Sequence, residues 1–197
     1  MFRRPVVLVL AAVLAAAAVP SALAASVHVR IEGKTQTLFG PTEPRASASN
    51  PLEALEAASV AGELYYHVAS ASFGNYVDQI GRYAAAGQTG WVFKVNGALP
   101  PVAADQVSLK DGDHVLWYWA QFGVAGGPRT LELQRRPKGC YRVVSRDDQG
   151  APTPAAGATV HVDGRRVRAA AGRACLGPHR GLVWASLAGA VRSNRLT

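Results

Sequence analysis

Alternating apolar and polar positions run through most of the chain from residue 26 onward and predict strands. Over residues 26–32, Val27, Val29 and Ile31 fall on one side and His28, Arg30 and Glu32 on the other, the pattern of a half-buried strand with a polar outer face. Gly33-Lys34 turns it toward a hairpin partner at residues 35–39, and residues 41–49 read as a polar loop. The pattern then changes period. Asn50 is an N-cap, Pro51 suits the first helical position, and Glu53 completes an Asn-x-x-Glu capping box. Leu52, Leu55, Ala58 and Ser59 share a face, and Gly62 marks the stop.

Strands resume at residues 65–68 and 73–80. Residues 90–97 place Trp91, Phe93 and Val95 on one face and end on Asn96-Gly97, a strong turn signal because both residues tolerate positive φ. In the later strand around residues 115–119, Val115, Trp117 and Trp119 share one face. Leu116 and Tyr118 make the other face apolar too, which predicts a central strand covered on both sides. Residues 123–128 read as a flexible hinge. Beyond it come short strands at 140–145, 159–162, 173–176 and 181–187, with Asp163-Gly164 as a hairpin turn, at the spacing of a small β-sandwich.

The first residues change the picture of compartment. Met1-Phe2-Arg3-Arg4, an apolar run and Ala22-Leu23-Ala24 form a signal-peptide pattern with cleavage after Ala24. The expectation is a secreted protein, extracellular or bound to the cell wall of a bacterium, with no membrane span left after cleavage. Its only two cysteines, Cys140 and Cys175, then read as a disulfide. Closing that loop is worth roughly 4 kcal/mol in the chain-entropy model. The expected organisation is a signal peptide at 1–24, an α+β domain at 25–128 and a disulfide-tied β-sandwich at 129–197.

Charge separates the two halves. Residues 25–133 carry seven Lys/Arg and ten Asp/Glu, a net of −3; residues 134–197 carry twelve and three, a net of +9. The basic half suits an anionic partner such as cell-envelope polymers. It does not read as a nucleic-acid binder, because no aromatics are interleaved with its arginines.

Catalytic and metal motifs are absent. None of His28, His67, His114, His161 and His179 sits in a metal-binding spacing, and no G-x-S-x-G elbow or phosphate loop occurs. Asp111 and Asp113 flank Gly112 as turn residues. The expectation is a non-enzyme with no cofactor and no metal. Tyr and Trp make amphipathic binding surfaces, so the candidate ligand-binding residues are Tyr66, Phe73, Trp91 and Tyr118, beside Pro100 and Pro101.

The motifs Phe73-Gly-x-Tyr76-Val77-x-x-Ile80-Gly81, Gly90-Trp91-x-Phe93-x-Val95-Asn96-Gly97 and Leu109-Lys110-Asp111-Gly112-Asp113, in that order, resemble the transcobalamin C-terminal-like domains of unknown function. The resemblance implies a β-grasp-like mixed sheet with one packed helix. It also makes a corrinoid such as cobalamin an alternative small-molecule ligand. Pro154 to Val160 and Gly172 to Leu176 resemble small Ig-like or carboxypeptidase-regulatory-like sandwiches, which implies an accessory module and not a peptidase.

Overall fold

A computed structural model of the chain describes residues 24–72, 74–123 and 126–197. Residues 1–23 of the expected signal peptide and Phe73 lie outside the described residues. The fold is mostly β, with a single α-helix among the described residues.

The first half contains β1 (Ala25–Glu32), β2 (Thr37–Phe39), β3 (Arg45–Ala48), α1 (Pro51–Gly62), β4 (Tyr66–Ala71), β5 (Gly74–Ile80), β6 (Tyr83–Ala84), β7 (Thr89–Val95) and β8 (His114–Gln121). Strand β1 has β2 and β3 on one edge and β8 on the other, and β7 closes the far edge. The sheet is mixed: β1 and β8 run parallel with Val29 beside Val115 and Ile31 beside Trp117, while β7 and β8 are antiparallel. As expected, β8 is central. Strands β4, β5 and β6 form a second small sheet.

Helix α1 starts where its cap predicts. The Asn50 side chain accepts from Glu53 N at 2.9 Å, and Glu53 returns a bond through its Oε2 from Ser49 N at 2.7 Å. The helix ends with Glu63 in the left-handed region. Its Ala54, Leu55 and Ala58 bury against Val27, Val29, Ile31, Val115 and Trp117 in the first core. The indole of Trp117 donates to Pro51 O at 3.0 Å, pinning the helix start to the central strand. Residues 41–49, expected as loop, include β3. Its alternation is too weak to announce a strand, because small Ala and Ser side chains carry little hydrophobic signal.

The second half contains β9 (Thr130–Arg136), β10 (Cys140–Arg146), β11 (Pro152–Pro154), β12 (Thr159–Val162), β13 (Arg165–Arg168), β14 (Arg173–Cys175) and β15 (Trp184–Ser186). Strand β10 pairs with β9 on one edge and with β11 and β14 on the other; β12 lies between β13 and β15. These two sheets share a second core built on Leu131, Leu133, Tyr141, Val143, Val160, Val183 and Ala185. The Cys140–Cys175 disulfide is formed. It joins directly opposed residues of the neighbouring strands β10 and β14, so it reinforces one sheet and does not bridge two.

The polar face of β1 is not solvated, contrary to the sequence reading. Arg30 and Glu32 are 4% and 1% exposed. The second half covers them. Glu32 accepts from Arg192 Nη2 at 2.8 Å and from Arg30 Nη1 at 3.0 Å, and Arg30 also donates to Arg192 O at 2.8 Å. A parallel link joins the fully buried Lys94 to Asp147 O at 2.7 Å and to Asp148 Oδ1 at 3.3 Å. Between these polar links, Tyr118, Ala120 and Val191 form a small apolar cluster of their own. The two halves are therefore packed together across the outer face of β1, β8 and β7.

Candidate functional site

A cleft of about 450 Å³ opens at the edge of the first core. Strand β7 supplies Trp91 and Phe93, β5 supplies Tyr76 and Val77, and the connection from β7 to β8 supplies Leu99 through Ala104. Its size and composition are those of small-molecule sites: mostly apolar, with few polar groups. Among the lining side chains the polar groups include the Asn75 and Gln106 amides and the Tyr76 hydroxyl.

Local chemistry holds this cleft open. Asn96 and Gly97 both take positive φ, so the chain reverses at once after β7. Gly97 is required there on a second count, because an added Cβ would collide with the Arg146 side chain. Pro100 and Pro101 carry no backbone N–H, so this stretch does not pair with a strand. The connection is tied at both ends: Leu99 N donates to Asp148 O at 2.8 Å, and Asn75 Nδ2 to Asp105 Oδ2 at 3.1 Å. Asn75 is in turn held by Ser70 Oγ at 2.8 Å.

One edge of β7 is also open. Asn96 N donates to His114 O, and Val92 and Lys94 lie an even number of residues away. In an antiparallel ladder, alternate residues bond the partner strand. Trp91 and Phe93 therefore turn their backbone N–H and C=O away from β8.

The sequence candidates separate in the structure. Trp91 and the Pro100–Pro101 stretch meet at the cleft. The Trp91 ring is 8% exposed, and its indole donates to Tyr83 O at 2.8 Å. Tyr66 lies outside the lining; its hydroxyl bonds Glu56 on α1, and that bond to a carboxylate raises its pKa to about 12. Tyr118 is a correction. It is fully buried on the opposite face of β8, under the second half, and burial pushes its hydroxyl pKa up. The double apolar face that marked β8 as central is the reason Tyr118 cannot reach a ligand there. Sequence reasoning missed Asn75, Val102 and Gln106, although Tyr76 and Asn75 stand inside the quoted Phe73-Gly motif.

A second cluster lies on the junction side. His28 and His114 stack with ring centroids 4.5 Å apart. Glu43 accepts from both through separate oxygens: its carbonyl lies 2.8 Å from His28 Nδ1 and its Oε2 lies 3.0 Å from His114 Nδ1. Burial opposes ionisation of Glu43, but the His114 hydrogen bond and the Arg30 charge outweigh it and hold its carboxyl below the ordinary range. The same hydrogen bond raises the His114 pKa. Among the described residues, no group of three or more His, Cys, Asp or Glu side chains is placed to hold a metal ion, and no helix is long and apolar enough to cross a membrane.

Comparison with known proteins leaves the ligand of the cleft open. No curated protein matches the chain. A solved structure from Ruminococcus gnavus, described as that of a candidate metal binding protein, is similar over 50% of this chain and 99% of its own, with 19% identity and a TM-score of 0.39. That likeness is too low to carry an argument. Residues 51–121 match the model of a domain of unknown function, DUF4430, a stretch that begins at α1, ends at β8 and includes every lining residue of the cleft.

Proposed function

We propose that the chain is a non-catalytic binding protein of the bacterial cell exterior, and that the cleft between β5, β7 and residues 99–106 holds a small, largely apolar ligand. The observation that carries this reading is the cleft itself. It combines apolar walls, a few polar groups at its rim and a lining held by hydrogen bonds from two neighbouring segments. The signal-peptide pattern and the disulfide support an oxidising location. The resemblance of the motifs from Phe73 onward to transcobalamin C-terminal-like, β-grasp-like domains supports a small-molecule occupant and keeps a corrinoid as the second reading. A corrin macrocycle would stand partly outside a cleft of this size.

The second half has a separate part in the proposal. Its net charge of +9 over residues 134–197 supports attachment to an anionic envelope polymer.

The test of the cleft is a titration of residues 25–197, oxidised, with anilinonaphthalene sulfonate as an apolar probe and with cobinamide. Binding of either probe, weakened about tenfold by Val102→Asp because the ligand would then cover a carboxylate at this exposed position of the lining, is the expected result. Binding that Val102→Asp leaves unchanged places the ligand elsewhere. A preference for cobinamide selects the corrinoid reading.

A further inference from the structure

The outer face of the sheet formed by β13, β12 and β15 carries a row of planar side chains from four separate stretches of sequence. His161 on β12 lies directly opposite Arg166 on β13 and directly opposite Trp184 on β15. Val183 and Leu196 then exchange both backbone hydrogen bonds, at 2.8 and 2.9 Å, in an antiparallel bridge. That bridge extends the sheet by one more segment and sets Arg195 beside Trp184. The four positions follow in order Arg166, His161, Trp184, Arg195.

Contacts along the row are specific. The imidazole of His161 stacks on the Trp184 indole with centroids 3.9 Å apart and planes 7° from parallel. The Arg195 guanidinium lies 5.8 Å from the Trp184 ring centre. His161 Nε2 is 2.8 Å from Ser186 Oγ, which fixes the ring's rotation. The next row on the same face adds Arg168, opposite Thr159, whose other neighbour is Ser186. Among the described residues, no carboxylate pairs with Arg166, Arg168 or Arg195. With strands about 4.8 Å apart, four positions span about 14 Å.

We propose that this row is a docking site for a linear anionic polysaccharide, with Arg166 and Arg195 taking its acidic groups and the ring edges between them facing its hydroxyls. Charge complementarity carries the argument. The row holds cations at both ends and no acid, on the half of the chain that bears the net positive charge. Stacking adds pre-organisation: a guanidinium already held against an aromatic loses less freedom when it binds. The stacking also chooses between polymers. A nucleic-acid platform offers free aromatic faces for bases to stack on. Here His161 and Trp184 cover one another's faces and Arg195 lies over the indole, so the edges, with their N–H donors, are what the row presents. This inference rests on the anionic-polymer reading of the second half and gives it a location.

The experiment compares three forms of residues 25–197: the unaltered chain, Arg166→Gln with Arg195→Gln, and Arg142→Gln with Arg173→Gln. The last pair removes the same charge from the strands β10 and β14 of the other sheet. Affinity electrophoresis is run against polygalacturonate, neutral dextran and a single-stranded oligonucleotide at two salt concentrations. The expected result is salt-sensitive polygalacturonate binding and no dextran binding. Its affinity should fall at least about tenfold for the first variant and less than about threefold for the second. Equal losses in both variants overturn the row and leave diffuse attraction to an anionic polymer. No polygalacturonate binding by the unaltered chain overturns both the row and the polymer reading. Tighter binding of the oligonucleotide overturns the choice of polysaccharide.

Discussion

The two faces of the sheet around β8 are covered in different ways. On one face Val27, Val29, Ile31, Val115 and Trp117 meet helix α1 in a dry apolar core. On the other, Arg30, Glu32 and Lys94 are buried beneath the second half by ion pairs and carbonyl contacts, with Tyr118, Ala120 and Val191, joined by half-buried Val92 and Leu116, as a small apolar cluster. The first kind of cover is non-directional and tolerates repacking. The second depends on particular partners, because an unpaired buried charge is costly while a paired one returns little net stability. Losing one partner of the polar cover therefore costs more than the intact pairs contribute.

The largest effect is expected on the apolar face. Trp117→Ala removes a fully buried indole of the first core and its bond to Pro51 O; a loss of about 3–5 kcal/mol follows, read from urea unfolding. Retained cooperativity with a second transition left near its original midpoint would show that the second core stands alone. Next in size is Glu32→Gln. The substitution keeps the shape but leaves Arg30 and Arg192 without their shared carboxylate, so a loss of about 2–3 kcal/mol is expected. A loss below about 0.5 kcal/mol would mean that the junction does not hold these charges dry, and the contrast between the two faces would fail.

A smaller change should have the opposite sign. The Tyr118 hydroxyl is buried with no hydrogen-bond partner among the described residues. Tyr118→Phe keeps the ring over which Lys94 lies at 5.8 Å and removes the unpaired group. A gain of about 1 kcal/mol is expected, measured by the same urea titration. A clear loss would show that the hydroxyl has a partner at the junction.

The same contrast explains what the sequence makes legible. Period-two alternation and the capping box at Asn50 located the strands of the first core and α1, because apolar burial leaves a one-dimensional pattern. The cation-bearing face of β1 gave the identical alternation, and nothing local distinguishes a polar face open to water from one capped by residues 160 positions away. Arg192, the partner of Glu32, is such a residue. Trp91 and Pro100–Pro101 were found because aromatics and prolines are conspicuous; Asn75 and Gln106 were not, since single amides carry no pattern. The arginines of the second half lacked aromatic neighbours along the chain, yet strand pairing sets His161 and Trp184 between Arg166 and Arg195. Interleaving across strands is invisible to a linear reading.

The smallest effect tests the edge of the polar face, where Glu43 joins His114 and Arg30. Its folded-state carboxyl is held below the ordinary value, so its contribution is present above the unfolded value near 4.5 and is lost as pH falls through the lower folded value. His114 is shifted the other way: its contribution is complete below the unfolded value near 6.5 and is lost as pH rises through the higher folded one. The pair therefore stabilises most between about pH 4.5 and 6.5. His161 runs counter to this, because burial and the Arg166 charge lower its pKa, so the pair has to be isolated by difference. With His114 about half exposed, solvent screening keeps the gain under about 1 kcal/mol. Urea midpoints of the unaltered chain and of Glu43→Gln, measured from pH 4 to 8, should differ most near pH 5.5 and converge toward pH 8 as far as the His114 part is concerned. What survives at pH 8 reports the Glu43–Arg30 pair alone, since Arg30 stays charged throughout. A pH-independent difference would assign the whole effect to Arg30 and leave the stacked histidines with no electrostatic part in joining β1 to β8.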